Sequence, residues 1–404
     1  MLLILLTKYQ IMKFIVNTFK RELALFIRSL NLCLAVNLYV KEQNLAQRKD
    51  TSKRVKLAEM WLPTMKKIIL CLCTFLIFEG NTMAQSRDTM FPKETVQPRI
   101  RIIIDNDFGG DPDGLFQLVH QILSPSVDIR AIIGSHLKPG DSFDPSKVTA
   151  TNAKKKVEEV LNVMNLQNAF PVLEGSNNGL ESIDKPQVSS AAQAIVKEAM
   201  RTDVKTPLYM VCGAGLTDLA SAYLIEPKIA DKITLVWIGG PEYPGSIIPP
   251  NHSELEYNLG IDLLAGQVIF NKSKMMIWQV PRSTYRQAIF SYAELLSKIK
   301  PLGETGKYLA NALENVMKMT VQMKYYIGET YILGDSPLVL LTALQSSFEA
   351  DPSSSYYVLR KSPLINDKGL YENNPSGRNI RVYTQIDTRL MFEDLIAKLQ
   401  LFNK

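Results

Sequence analysis

The chain has 404 residues, of which 46 % are hydrophobic, 21 % charged and 8 % aromatic. That composition excludes a disordered or collagen-like chain and allows a large core without disulfide staples. The formal net charge of +6 is uneven: residues 1–84 hold 13 Lys and Arg against 5 Asp and Glu, leaving 33 against 35 for the remainder, so no nucleic-acid partner follows from it.

In chain order, Met65-Lys66-Lys67 precedes an apolar run from Ile68 to Phe78, the polar Glu79-Gly80-Asn81 and the small-residue pattern Thr82-Met83-Ala84. Basic, apolar and cleavage regions in that order read as a secretory signal peptide over 65–84. The run falls short of the roughly 20 residues a spanning helix needs. The expectation is a periplasmic or secreted protein, cleaved after Ala84, with no stable membrane insertion of the mature chain. Residues 1–64 read as an extension from a start codon assigned too early, with Met65 the natural start; the other reading is a membrane-associated extension. Cys33, Cys71 and Cys73 all precede residue 85, which leaves Cys212 alone. That excludes an internal disulfide in the mature chain and a cysteine zinc cluster. Residues 85–98, with Pro92 and Pro98, read as a linker, and 99–404 as one domain.

From Arg99 the pattern alternates. Ile100–Ile104 is a β-branched run, followed by an acidic glycine-rich loop and a helical stretch over Leu115–Leu123. Val127–Gly134 reads as a second strand and Val148–Val163 as a helix. Leu208–Val211 is a third strand with a helix over Leu216–Ile225, and Ile233–Ile238 a fourth. A helix follows Asp262, and Met275–Val280 is a fifth strand. Tyr285–Leu344 reads as mostly helical, residues 351–380 as loop-rich, and Met391–Leu401 as a closing amphipathic helix. Strands alternating with helices predict an α/β fold: a mainly parallel open sheet with helices on both faces and extra C-terminal helices.

The chemistry concentrates in Asp105-Asn106-Asp107-Phe108-Gly109-Gly110-Asp111-Pro112-Asp113-Gly114. Four carboxylates fall within nine residues, directly after an apolar strand. Open α/β sheets bind ligands outside the carboxyl ends of their strands. Carboxylates so crowded stay ionised only beside a cation, and oxygen ligands favour Ca²⁺ or Mg²⁺ over zinc. The plainer reading is a solvated acidic turn. A phosphatase of the haloacid dehalogenase type also opens with Asp-x-Asp after a strand, but the later Thr or Ser and Lys it needs form no convincing set here.

The loop resembles the Asp-x-Asp-Pro-Gly-x-Asp-Asp signature of the inosine–uridine nucleoside hydrolase family. Leu208 to Ala220, Trp237-Ile238-Gly239-Gly240, Glu256-Tyr257-Asn258 with Asp262, and Gly334-Asp335-Ser336-Pro337 resemble later motifs of that family, in order, over about residues 99–345. The resemblance implies a nucleoside hydrolase-like fold over 99–404 and hydrolysis of the N-glycosidic bond of a nucleoside or related riboside. It implies one Ca²⁺ held by Asp107 and Asp335, with a backbone carbonyl near Val211 or Cys212. The double Asp is disturbed: Asp111 and Asp113 restore a pair with one residue between them, one as metal ligand and the other as general base, with the assignment open. Glu256 and Asn258, two apart in what reads as an extended segment, would bind ribose hydroxyls, with Asn251 in the same loop. Capping of a late helix is the other reading of Asp335. The family's histidine before the late Asp is Gly334 here, so the leaving-group donor is missing; His136, near the pocket, and His252 are candidate substitutes, while His120 reads as structural. The resemblance also implies a dimer or tetramer. The alternative is a non-catalytic nucleoside- or sugar-binding relative that keeps the metal pocket.

Overall fold

The computed structural model describes residues 90–249, 252–345 and 355–403. The expected signal peptide, the extension before it and Asn251 lie outside the described residues, as does the first part of the linker. No helix among the described residues is long and apolar enough to cross a membrane.

The first strand, β1 (Ile100–Asn106), is buried along its whole length. Its side chains alternate between two cores: Ile102 and Ile104 join one cluster and Ile103 the other. This is the period-2 reading of a strand covered on both faces, which is why the sequence shows an apolar run there, broken only by Arg101. The loop after it leads into α1 (Asp113–Ile122). Then come β2 (Val127–Gly134), α2 (Thr149–Val163) and the short β3 (Val172–Glu174). The chain continues through α3 (Ser190–Ala199), β4 (Leu208–Cys212), α4 (Thr217–Ile225) and β5 (Ile233–Ile238).

Two short helices follow, α5 (Tyr257–Ile261) capped by Glu256 and α6 (Leu263–Gln267) capped by Asp262. Next is β6 (Met276–Val280) and a single turn, α7 (Arg282–Tyr285). The stretch expected to be mostly helical does contain the longest helix, α8 (Gly303–Gln322), but it also carries an antiparallel hairpin of β7 (Ile289–Ser291) and β8 (Thr330–Ile332). The loop-rich expectation for 351–380 is corrected too. It holds β9 (Tyr356–Lys361) and the small ribbon of β10 (Leu364–Ile365) and β11 (Tyr371–Glu372), before β12 (Asn379–Gln385) and α9 (Thr388–Phe402).

The main sheet has the order β3-β2-β1-β4-β5-β6-β12-β9. All neighbours are parallel except the edge strand β9, which runs antiparallel to β12. The expected mainly parallel sheet with helices on both faces is the observed architecture. After β1 the chain winds outward through β2 and β3, then returns to place β4 on the other side of β1. That reversal opens a crevice at the carboxyl ends of β1 and β4, where ligands bind in sheets of this kind.

Candidate functional site

The acidic loop leaves β1 at this crevice. Gly110 donates its backbone N–H to Asp107 O at 2.7 Å, which turns the chain so that Asp107, Asp111 and Asp113 line one cavity of about 330 Å³. Asp335, Glu256 and Asn258 line the same cavity, with Phe143, Gly213, Tyr257, Tyr285, Arg286 and Gly334. Thus the four carboxylates expected at a metal, and both ribose-binding candidates the structure describes, come together at one place.

Asn106, the residue between the first two aspartates, holds the arrangement. Its Nδ2 donates to Asp335 Oδ2 at 2.8 Å, and its Oδ1 accepts from Asp107 N at 2.9 Å. A Cβ at residue 213 would sit 2.4 Å from that Nδ2, so Gly213 is the space Asn106 needs. Asp335 is therefore not a helix cap: the following turn, Pro337–Val339, starts after Ser336, and the Asp335 carboxylate points at Asn106 instead. Asp113 accepts from Gly114 N at 2.8 Å and from Asp335 N at 3.2 Å, tying the first loop to the late one. Asp111 accepts from Tyr331 Oη at 2.7 Å and from Asp113 N at 3.2 Å.

Burial and mutual repulsion set the protonation. Burial first, then the charges of Asp335 and Asp111, push the Asp107 carboxyl well above its ordinary range. Asp113 is raised in the same way. Burial lifts Asp111 to about 6 against the pull of Tyr331, and Asp335 to about 7 against the pull of Asn106. Such a set resists full ionisation unless a cation joins it. Its donors are all oxygen, which suits a hard divalent ion. As placed, no three His, Cys, Asp or Glu side chains among the described residues are gathered as a ready set of ligands. The donor chemistry fits a cation.

Glu256 is wholly buried and fully engaged. Its Oε2 accepts from Gly240 N at 2.7 Å and Leu259 N at 3.0 Å, and its Oε1 from Tyr285 Oη at 2.9 Å. Asn258 donates through Nδ2 to Gly213 O and Ile238 O, both at 2.9 Å. The two do not lie on an extended segment as expected. Glu256 caps α5 and Asn258 stands in its first turn, because the capping carboxylate offers the helix N–H groups a partner.

His136 corrects another expectation. It is buried beside the pocket and does not line it. Its Nδ1 lies 2.9 Å from Leu137 O and its Nε2 2.8 Å from Thr217 Oγ1, and that hydroxyl donates to Asp262 Oδ2 at 2.7 Å. It joins β2 to the starts of α4 and α6. His252 does not line the pocket either; its Nδ1 faces Pro249 O at 3.0 Å. His120 is structural, as read, with Nε2 2.7 Å from Asp394 Oδ2. At residue 334 a Cβ would stand 3.4 Å from the Tyr285 ring, so Tyr285 fills the space beside the missing side chain. Asn106, Tyr285, Arg286 and Tyr331 were not foreseen; Asn106 alone had a local signal, its place at the strand end between two aspartates.

The sequence model of the family described as inosine-uridine preferring nucleoside hydrolase matches residues 102–393. A curated inosine-uridine preferring nucleoside hydrolase of Leishmania major is 34 % identical over 84 residues, 20 % of this chain. The chain spans only 25 % of that relative's length in the match. Among solved structures, a purine-preferring ribonucleoside hydrolase from Gardnerella vaginalis superposes with a TM-score of 0.57 at 16 % identity, covering 75 % of this chain and 99 % of that one. An inosine-uridine preferring nucleoside hydrolase from Bacillus anthracis gives 0.52 at 15 % identity with the same coverage. At such identities the likeness is one of fold.

Proposed function

Because the chain belongs to the inosine-uridine preferring nucleoside hydrolase family, we propose that it hydrolyses the N-glycosidic bond of ribonucleosides or related ribosides. In this reading Asp107, Asp335 and one of Asp111 and Asp113 hold one divalent cation of the Ca²⁺ class. The observation that carries it is the crowding of four carboxylates, with Glu256 and Asn258, in a single pocket at the switch point of the sheet.

A bound divalent cation supplies an acidified water and a fixed point for sugar hydroxyls. The chain's own residues do the rest. Whichever of Asp111 and Asp113 is not a ligand would take the proton of the attacking water as the glycosidic bond breaks. Both amide hydrogens of Asn258 serve backbone carbonyls, which leaves its Oδ1 to accept from a ribose hydroxyl. Glu256 fixes Gly240, Leu259 and Tyr285 in the wall around the sugar. The clustered negative charge stabilises the positive charge that builds on the ribose. Gly334 has no proton to give, so bases that leave easily are the better substrates.

The test is ribose release from a panel of nucleosides and an activated nitrophenyl riboside, with and without chelator. Release that chelator stops and Ca²⁺ restores is the expected result. A second reading, a binding protein without turnover, is favoured by two observations: Asp111 is held by Tyr331, and among the described residues no set of three ligands is pre-gathered. Ribose bound but never released from any nucleoside would establish that reading instead. The proposal includes export, so sequencing of the mature N-terminus begins at Gln85; residues 1–64 still attached would overturn that part.

A further inference from the structure

Of the residues that line the pocket, Arg286 alone is basic. Five carboxylates line the same cavity, yet the exposed Arg286 guanidinium makes no hydrogen bond or ion pair to any of the described residues. It is not there to neutralise the acidic floor. Its backbone is nonetheless fixed on a rigid base. Arg286 N donates to Arg282 O at 3.3 Å. Arg282 makes a two-point pair with Glu242, both contacts at 2.6 Å, and Tyr285 is pinned by its bond to Glu256. Beside the same wall, Lys138 Nζ stands 4.0 Å over the ring of Tyr257, a lining residue. The cavity lining thus combines two kinds of group: buried carboxylates that suit hydroxyls and a cation, and an exposed guanidinium, unpaired among the described residues, on an anchored turn. A guanidinium recognises carboxylate and phosphate through a planar two-point fork, and an Arg kept free of its own chain's acids is available for a ligand's.

We propose that Arg286 selects ribosides that carry an anionic group, a phosphate on the 5′ oxygen or a carboxylate on the base. This rests on the riboside reading of the pocket and narrows its substrate class. The acidic floor repels such substrates, so without Arg286 they are disfavoured against neutral nucleosides; with it they are preferred.

Calorimetric binding to the full chain tests it with two matched pairs: ribose 5-phosphate against ribose, and orotidine against uridine. The expected result is at least a tenfold tighter binding of the anionic member in one pair, and that pair locates the anion. In Arg286→Gln the preference falls to within threefold of parity, whereas Arg286→Lys keeps most of it. In turnover the same loss falls on KM more than on kcat. No preference in either pair, or an equal loss by Arg286→Gln on charged and neutral ligands, overturns the inference. If no riboside is cleaved the hydrolase reading falls, but the binding pairs still decide the role of Arg286.

Discussion

Buried charge is handled in two opposite ways in this molecule. At several places away from the pocket it is paired. Arg282 and Glu242 meet at 2.6 Å with both side chains almost inaccessible. Lys398 pairs with Asp394 at 2.5 Å and donates to Ser124 at 2.8 Å, and Asp394 also bonds His120, which fastens α9 to α1. Arg101, at the start of β1, pairs with Glu198. In the pocket, Asp107, Asp111, Asp113 and Asp335 crowd together with no Lys or Arg bonded to any of them, among the described residues. A fold under pressure for stability alone pairs such groups or replaces them with apolar ones. In the proposed reading, the unpaired set marks where the molecule gives up stability for chemistry, and where a cation would supply the missing charge.

The contrast can be broken experimentally at either end. The largest effect is expected at the unpaired end: Asp107→Asn lowers ribose release by roughly 10³-fold or more, the scale of losing an electrostatic stabiliser. The same variant holds or raises thermal stability in metal-free buffer, because it removes one charge from a repelling cluster. A variant both active and strongly destabilised would make Asp107 a structural residue. At the paired end the signs reverse. Glu242→Gln strands the buried Arg282 guanidinium and costs roughly 3–5 kcal/mol in denaturant unfolding. A loss under about 1 kcal/mol would show that this pair behaves like an exposed one.

His120 gives a smaller, pH-dependent effect at the paired end. Burial, with a further push from Lys398 and against the pull of Asp394, lowers it to about 4. Its folded value lies below its unfolded value of about 6.5, so the unfolded chain binds the proton more tightly. Its contribution is present above pH 6.5 and is lost as pH falls from there to about 4, a change of roughly 3 kcal/mol. Unfolding curves of the wild type and His120→Gln across that window should converge as pH drops; parallel curves would deny His120 the role. The smallest change is expected from Asn258→Ala, which removes one ribose contact worth about 1–2 kcal/mol and lowers kcat/KM roughly tenfold without loss of metal.

The sequence made the inner sheet legible because its inner strands are mostly buried and read as apolar runs broken by a single polar residue, as in Ile100–Ile104 with Arg101 and Ile233–Ile238 with Thr234. Its edges were not. β3 is three residues long, and β9 has its side chains largely exposed, so neither makes a run. Asn379–Gln385 does alternate, but it follows a turn-rich stretch that hid it, and its place beside β6 is a long-range choice. The same division holds at the site. The carboxylates of the first loop announced themselves by density, and Asp335 by resemblance. Tyr331, Tyr285 and Arg286 earn their positions only through partners or walls far away in sequence, which no local pattern encodes. Gly334 was legible as a missing donor, while the Tyr285 ring beside it was not.

The central claim is that the pocket's uncompensated carboxylates are completed by a divalent cation. Calorimetric titration of the metal-free protein with Ca²⁺ tests it most directly, beside the double variant Asp107→Asn/Asp335→Asn. The account predicts one cation bound per wild-type chain, a rise in thermal stability on binding, and no binding by the double variant. Absence of binding to the wild type at millimolar Ca²⁺ or Mg²⁺, or undiminished binding by the double variant, would contradict it.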